Sequence, residues 1–400
     1  MRKNKPYLLI LFFSILQSCL TEISPESISF ENLLVVDARI TDQLINHQIT
    51  LQRSVPVNTD SVVFETNATV SILINDGEVI TFTEENPGEY RATRPFSAAA
   101  NTNYQLFITT QGGTEYKSTI EQMPATPPID DLYGEFNPFE ISAIQGNGIF
   151  NQFLDVSNNT TDAKFYLIEW SETYVVRVPF PSSFEWRGGN IVEPRLAGDS
   201  VEFCFQTVNS PDIIAVESIL ESGKINRFPI RSFDTSINNA LANRYSLEVK
   251  LYALGANAFS YWQQVASSRQ NEAILIQQQP GSILGNIENI SDDTQPALGR
   301  FDVLQERSQR IFYSPDELRD QGYFVINNSI AACDTTDVIR GPQEEVAEVL
   351  TRNPNLDIWF IESGLASDNK VAVPVLVYLP KRCSNCTYYG TNERPTFWID

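Results

Sequence analysis

The sequence is poor in the residue types on which most catalytic and metal sites depend. Its 400 residues include one histidine, two methionines and five cysteines. Histidine is the most frequent general base and metal ligand, so a nucleophilic triad or a zinc centre has few residues from which to form. The motifs Gly-x-Ser-x-Gly and His-Glu-x-x-His are missing as well. We therefore expect a protein that is not an enzyme and that holds no cofactor or metal.

Basic residues are also scarce, since 28 Lys and Arg stand against 50 Asp and Glu and the formal net charge is −22. The acidic residues are scattered along the chain, a distribution typical of a solvated surface. Such a surface repels nucleic acid and anionic lipid headgroups. The sequence therefore predicts no nucleic-acid partner.

Long apolar runs are missing too, apart from one short run near the start. Residues 7–16 (YLLILFFSIL) follow the basic residues Arg2, Lys3 and Lys5 and precede Gln17-Ser18-Cys19. At ~1.5 Å per residue this run reaches about half of a ~30 Å hydrocarbon layer, which is too short for a stable membrane span. A basic beginning, an apolar centre and a small residue before a cut are typical of an export signal.

Leu16, Ser18 and Cys19 resemble a bacterial lipobox, which implies that residues 1–18 are removed and that Cys19 is acylated. The alternative is an ordinary secretory signal with a chance cysteine. In the lipoprotein interpretation residues 19–31 form a short polar tether. We then expect the protein to reach the lipid bilayer only through the acyl chains on Cys19.

Four cysteines remain after the signal: Cys204, Cys333, Cys383 and Cys386. An exported chain meets an oxidising compartment, so an even number of cysteines favours up to two disulfides, in any of three connectivities. Cys383 and Cys386 form a CxxC pair, which can also belong to a zinc site or a redox centre. The other two cysteines stand apart and the pair lies in a β-rich setting, so structural disulfides are favoured.

Residues 32–124 consist of short runs with the alternation of half-buried β-strands. The runs are LLVVDARIT, HQITLQRS, ATVSILIND, VITFTEE, EYRATRPF, NYQLFITT and YKSTIEQM. Turn sequences such as Asn75-Asp76-Gly77 and Gly112-Gly113 separate them. This spacing is typical of an immunoglobulin-like β-sandwich. The segment MPATPP at 123–128 disfavours strand structure and predicts a domain boundary.

The pattern of residues 125–400 predicts a larger β-rich domain with a few short α-helices. The nearly continuous apolar run FYLIEWSETYVVRV is expected to form a central strand. One helix is predicted in AFSYWQQVASSRQNEAI, with Phe259 and Trp262 on its apolar face. Two more are predicted in SPDELRDQG, where Ser314 is the N-cap, and in GPQEEVAEVLTRNP, which begins at Pro342.

Three further features are weaker candidates for a site. His47 lies in a predicted strand, where packing accounts for it better than catalysis does. Asp292-Asp293-Thr294 offers oxygen ligands for calcium, but the regular spacing of a calcium loop does not accompany it. Trp186, in the loop-like PFPSSFEWRGGN, is the tryptophan that we expect to be exposed and able to contact a ligand.

Several stretches occur in a fixed order: LLVVDARIT, ENPGEYRA, YKSTIEQMPATPPIDDL, SYWQQVASS, GSILGNIEN, ALGRFDV and CSNCTYYGTNERPTFW. Together they resemble the Bacteroidota lipoproteins called domain of unknown function 4249. The most specific are the LGNIEN and GRF segments and the terminal CxxC, Gly390 and Pro395-x-Phe397-Trp398 group. The resemblance implies an outer-membrane lipoprotein, often encoded beside TonB-dependent receptors, and it brings no catalytic residues.

These observations predict a non-enzymatic outer-membrane lipoprotein. We expect it to act as a binding or accessory protein for a TonB-dependent receptor in nutrient capture or uptake. The alternative is a structural or adhesive lipoprotein of the cell envelope. The sequence leaves open whether the protein faces the periplasm or the cell surface.

Overall fold

A computed structural model describes residues 32–56, 59, 61–137, 148–157, 161–218, 223–234, 240–271, 283–322, 333, 338–365 and 372–399. The predicted signal at 1–18, Cys19 and the predicted tether at 19–31 lie outside these residues. The described chain is mainly β, with several sheets and a few short helices, which confirms the predicted fold class. None of the described helices is both long and apolar enough to cross a membrane.

The N-terminal sheet contains ten strands. They are β1 (Leu34–Thr41), β2 (Gln48–Arg53), β3 (Val63–Phe64), β4 (Thr69–Ile74), β5 (Glu78–Asn86), β6 (Glu89–Ala92), β7 (Tyr104–Thr109), β8 (Glu115–Ser118), β18 (Ile287–Asn289) and β19 (Leu298–Leu304). Their order in the sheet is β18-β8-β7-β4-β5-β6-β2-β1-β19, with β3 beside β2. The predicted runs form β1, β2 and β4 to β8. The sequence predicts all sandwich strands within residues 32–124, whereas the sheet also takes β18 and β19 from far along the chain.

A single hydrophobic core lies inside the N-terminal sheet. On β1 the alternate residues Leu34, Val36 and Ala38 are buried in it, and strands from both ends of the sheet contribute to the same core. Because one face of the sheet covers one core, the sheet curls around that core as the two layers of a sandwich do.

The ends of this sheet meet at residues 284–303. Leu284 and Leu298 form an isolated β-bridge. The side-chain amide of Asn286 donates to the Phe301 carbonyl and its oxygen accepts from the Phe301 N–H, both at 2.9 Å. Asn286 thus gives Phe301 the two hydrogen bonds that a neighbouring strand would give.

The second region is built on a central sheet of five strands. They are β14 (Phe203–Asn209), β11 (Phe165–Arg177), β17 (Tyr245–Leu254) and β20 (Glu306–Tyr313), in that order, with β15 (Ile214–Glu217) also beside β11. A three-stranded sheet of β16 (Ile225–Asp234), β10 (Ile149–Val156) and β9 (Asp131–Asn137) shares a core with it. The long run predicted as a central strand is β11, which pairs on both sides.

The predicted boundary at 123–128 is tied to both regions. The Thr126 hydroxyl donates to the Gln305 carbonyl at 2.7 Å and accepts from the Ala253 N–H at 2.9 Å. Gln305 lies between β19 and β20, and Ala253 lies on β17. The segment therefore passes between the N-terminal and central sheets, with Met123, Thr126 and Pro127 buried.

Another three-stranded sheet lies near the C-terminus. Its strands are β21 (Ile339–Pro342), β23 (Ala372–Pro380) and β22 (Leu356–Leu365), and the hairpin of β12 (Phe184–Gly188) and β13 (Ile191–Pro194) packs against the same small core. The described α-helices are α1 (Ala256–Asn271), α2 (Pro315–Asp320), α3 (Val346–Arg352) and α4 (Lys381–Ser384). The first three match the predicted helices, and Ser314 forms the capping box expected of an N-cap.

Candidate functional site

A cleft of about 500 Å³ opens where the N-terminal sheet, the central sheet and α1 meet. Arg39 of β1 and Trp262 of α1 line it, and residues 209–213, which connect β14 to β15, border it. Its volume is in the range of small-molecule sites, ~300–1,000 Å³. We call it the central cleft.

The floor of the central cleft is the outward face of β11 and β17. Glu169 and Ser171 on β11 lie opposite Lys250 and Glu248 on β17 in the antiparallel register. Successive side chains of a strand point to opposite faces, so the residues next to these four along each strand point the other way. Those residues, Ile168, Trp170, Val249 and Leu251, belong to the core between the two sheets. The alternation along two strands thus makes one face apolar and the other charged.

Each charged side chain of the floor has an opposite charge beside it. The pairs are Arg39–Glu169 at 2.7 Å, Glu248–Arg310 at 2.8 Å and Lys250–Glu306 at 3.1 Å. All six side chains are partly shielded from solvent. Such pairs hold donors and acceptors in fixed positions without leaving a net charge at the floor.

Arg39 links the N-terminal sheet to the central sheet. Burial by itself lowers its pKa, but the charge and hydrogen bond of Glu169, with Tyr252 and Asp302 nearby, raise the pKa above the ordinary arginine value. Its guanidinium also lies over the rings of Tyr252, at 5.3 Å from the centroid, and Trp262, at 5.9 Å. Arg39 is therefore a fixed cation in the wall of the central cleft.

Trp262 belongs to the helix that covers one end of the cleft. Phe259 and Ala258 of α1 pack against Leu167, and Trp262 packs beside them, half-buried. The indole Nε1–H of Trp262 donates to Asp302 at 2.9 Å, which fixes the ring. The predicted apolar face of this helix thus packs at Phe259 and Trp262, and Trp262 also meets the cleft.

A second cavity, of about 350 Å³, lies at the N-terminal end of α1. Arg300 borders it and is nearly buried, with ion pairs to Asp302 and Glu121. Asn286 also donates to Glu121, at 2.7 Å. The GRF and LGN segments therefore meet in one polar network, and this network joins the closure of the N-terminal sheet to α1.

Glu172 is a carboxylate that the sequence did not single out. It is 2% exposed, and Arg231 binds it with two hydrogen bonds of 3.1 Å. The Tyr245 hydroxyl donates to it at 2.9 Å, and burial, with the charge of Glu172, raises the pKa of Tyr245 well above its usual value. Since Glu172 faces the core between two sheets and does not border the central cleft, we assign it a structural role.

Trp186 lies on β12, away from the central cleft. Its side chain is 36% exposed, in agreement with the predicted exposure, and its Nε1–H donates to the Gly189 carbonyl at 2.8 Å. It borders a separate cavity of about 280 Å³ beside Arg195 and Asp357. Contact of Trp186 with a ligand stays a prediction.

The four described cysteines form two disulfides, Cys204–Cys386 and Cys333–Cys383, with Cα–Cα distances of 5.3 and 5.6 Å. This is one of the three connectivities that the sequence left open. Each cysteine of the CxxC pair is bonded to a distant partner, so the pair forms neither an internal redox disulfide nor a zinc site.

Asp292 forms a local turn. Its Oδ1 accepts from the Thr294 N–H at 3.0 Å and from the Thr294 hydroxyl at 2.7 Å, and these bonds lower the pKa of Asp292. Within the described residues no group of three or more His, Cys, Asp or Glu side chains is placed to hold a metal ion. Hydrogen bonding within the turn accounts for Asp292 and Thr294.

The central cleft was not predicted from the sequence. Glu169 and Ser171 interrupt the apolar run of β11, and Arg39 interrupts that of β1. Polar residues at alternate positions of an apolar strand signal an outward face, and that signal was available. The sequence does not show which strands meet at the cleft, because Arg39 and Glu169 are 130 residues apart.

Most of this chain matches the sequence model of a known protein family. The sequence model of a family described as "Domain of unknown function (DUF4249)" matches residues 20–310. The chain belongs to the DUF4249 family. The DUF4249 match contains every residue that lines the central cleft and the closure at 284–303. The C-terminal sheet and the CxxC segment lie beyond it.

No curated protein matches this DUF4249 chain, and the solved structures that resemble it are distant. Native alpha-2-macroglobulin of E. coli shares 11% identity over 86% of this chain and 16% of its own, with a TM-score of 0.18. The trypsin-activated form of the same protein shares 10% sequence identity over 89% of this chain and 19% of its own length, with a TM-score of 0.17. The BSP domain of a biofilm associated protein shares 9% sequence identity over 88% of this chain and 77% of its own length, with a TM-score of 0.13. TM-scores this low do not establish a shared fold.

Proposed function

We propose that this protein is a non-enzymatic, lipid-anchored binding protein of the outer membrane that captures a nutrient in the central cleft. The observation that supports this most is the cleft itself, a cavity of about 500 Å³ whose floor is set by paired charges. Fixed donors and acceptors at the bottom of a cavity orient a small ligand without reacting with it.

In this proposal the anchor and the partner are those expected from the sequence. Acyl chains on Cys19 hold the protein at the membrane, and a TonB-dependent receptor takes the ligand from it. The acidic surface keeps the anchored domains away from anionic headgroups. The protein then contributes capture and delivery, and the receptor contributes transport.

Blocking the central cleft tests the capture function. We would screen the mature chain against sugars, peptides, amino acids and organic acids by thermal unfolding, beside the variant Ser171→Trp, whose indole would fill the cleft from its floor. A ligand at about 100 times its Kd adds ~2.7 kcal/mol of stability to the wild type. We expect at least one compound to stabilise the wild type and not Ser171→Trp. If every compound acts equally on both proteins, the cleft is not the binding site.

Changing Cys19 tests the anchor. Cys19→Ala should remove the protein from the outer-membrane fraction, by release or by misplacement, and leave the circular dichroism of its domains unchanged, because the described domains begin at residue 32. Ser18→Ala is the matched control, since it keeps a small residue before the cysteine, and it should stay in the outer-membrane fraction. Retention of Cys19→Ala in the outer-membrane fraction would contradict the lipid anchor.

The partner is tested by purifying the full lipidated chain from detergent-solubilised outer membranes. A TonB-dependent receptor should co-purify with the wild type. Recovery of the chain alone, under conditions that keep known receptor complexes intact, would argue against this partner.

A further inference from the structure

We infer that the ligand of the central cleft is a neutral, hydroxyl-rich molecule, a small oligosaccharide. This inference rests on the proposed function, because it names the class of ligand for the same site. It is carried by the balance of charges in the cleft, by the way those charges are paired, and by the apolar groups at its edge.

The charges that line the cleft cancel. Arg39, Lys250 and Arg269 are opposed by Glu169, Glu248 and Asp212. A ligand with a net charge would meet no uncompensated opposite charge here, and its own desolvation would not be repaid. The cleft therefore favours a ligand without net charge.

Hydroxyl groups match the floor better than other neutral groups do. Glu169 and Glu248 accept hydrogen bonds, whereas Lys250 and Arg39 donate them. Glu169 on β11 lies opposite Lys250 on β17 and is paired with Arg39 of β1. A hydroxyl is both donor and acceptor. Neighbouring hydroxyls of one sugar ring can therefore bond Glu169 and Arg39, the carboxylate and the cation of the ion pair that lines the cleft with both its members, without separating them.

The edge of the cleft supplies the apolar contact that a sugar ring needs. Trp262 lies on the α1 side, and Leu167, Pro211 and Ile213 are also in the lining. A sugar ring has C–H faces as well as hydroxyl edges, so it can lie against Trp262 while its hydroxyls reach the floor. Asn209 and Ser210 at the rim add neutral donors and acceptors.

Isothermal titration calorimetry on the full mature chain tests this inference, with Cys19→Ala in all proteins to avoid the lipid. The probes are neutral gluco-, galacto- and manno-oligosaccharides from di- to tetrasaccharides, oligogalacturonates of the same lengths, and alanine tri- and tetrapeptides. We expect a neutral oligosaccharide to bind, with a Kd that changes less than twofold between low and high salt, because no net charge is screened.

Variants locate the binding. Ser171→Trp should abolish it, and Trp262→Ala should weaken it about tenfold, as expected for the loss of one aromatic contact. Trp262→Phe keeps a ring and should retain most of the affinity, which separates loss of the contact from loss of the fold. Tyr388→Ala, the control, removes an exposed aromatic side chain that does not line the cleft and should leave the Kd unchanged.

Three outcomes overturn the inference: binding of the oligogalacturonates or peptides in place of neutral saccharides, saccharide binding that survives Ser171→Trp, or no saccharide binding. If a peptide or an acid binds and Ser171→Trp blocks it, the capture function stands and only the ligand class is wrong. If Ser171→Trp changes the binding of no compound of any class, the proposed capture function is wrong as well.

Discussion

At the scale of single residues, His47 shows how a residue type associated with function can serve packing. Its imidazole is buried, with its centroid 4.7 Å from that of the Phe96 ring, and Nε2 lies 3.0 Å from the Phe96 carbonyl oxygen. Burial lowers the pKa of His47, and hydrogen bonds to the Phe96 and Gln43 backbone only partly oppose this. The folded protein therefore prefers the neutral ring.

The buried ring predicts a pH dependence of stability. Above the unfolded pKa of about 6.5 both states carry neutral His47 and its contribution is complete. As the pH falls below about 6.5 the unfolded state binds a proton first, so the free energy of unfolding decreases until the pH passes the folded pKa. Urea unfolding between pH 7.5 and 5 should show this loss.

His47→Gln is the control, because glutamine does not titrate and can still donate to the Phe96 carbonyl. Since His47 is the only histidine, the difference between the two pH profiles isolates it. Parallel profiles for the two proteins would contradict a lowered pKa in the folded state.

At the scale of elements, the closure of the N-terminal sheet depends on two glycines. A Cβ on Gly299, whose φ is +92°, would lie 1.9 Å from the Val36 carbonyl oxygen. A Cβ on Gly285 would lie 1.7 Å from the Gly299 carbonyl oxygen. The parallel pairing of β1 and β19 and the approach of Asn286 thus require bare backbone at both positions. The LGN and GRF segments therefore have a structural role, because each supplies a glycine at a close contact between backbones.

Gly299→Ala should strongly destabilise the protein. It combines a φ that disfavours side chains with a clash against the backbone of β1, and such combinations cost about 3 kcal/mol or more. Gly113→Ala is the matched control, because its φ is +85° and a Cβ there meets nothing within 4 Å. Denaturant unfolding should show a loss of only ~1 kcal/mol for the control. Equal losses would mean that the contact with Val36 does not matter.

At the scale of the whole molecule, the two disulfides tie the C-terminal segment to the rest of the chain. Cys204–Cys386 joins β14 of the central sheet to the CxxC segment across 182 residues, and Cys333–Cys383 spans 50 residues. Gly390 supports the same junction, since a Cβ there would lie 2.1 Å from the Phe205 carbonyl oxygen. Trp398 packs edge-on against Phe205 at 4.9 Å.

Removing Cys204–Cys386, as Cys204→Ser with Cys386→Ser, should cost about 2–5 kcal/mol. Removing Cys333–Cys383 in the same way should cost about 1 kcal/mol less, because the loop it closes is shorter. Calorimetry under oxidising conditions measures both, and mass spectrometry of unreduced peptides should find the two pairings. Recovery of Cys383 bonded to Cys386 would contradict this connectivity.

The local parts of this fold could be predicted. The alternation in β1, β2 and β4 to β8 and the Ser314 cap are properties of neighbouring residues, and the structure bears them out. The disulfide connectivity could not be predicted, because nothing near Cys386 in the sequence identifies Cys204 as its partner. The central cleft could not be predicted, because strands far apart in the sequence build it, and Trp262 rather than Trp186 lines it; contact of Trp186 with a ligand stays a prediction.

The sequence by itself determined that this chain is mainly β and acidic, because composition and alternation act over a few residues. Only the tertiary structure decided that residues 287–304 complete the N-terminal sheet and that Arg39 meets Glu169. These contacts join residues more than a hundred positions apart, and their pairing is fixed by burial of a shared core rather than by any local preference.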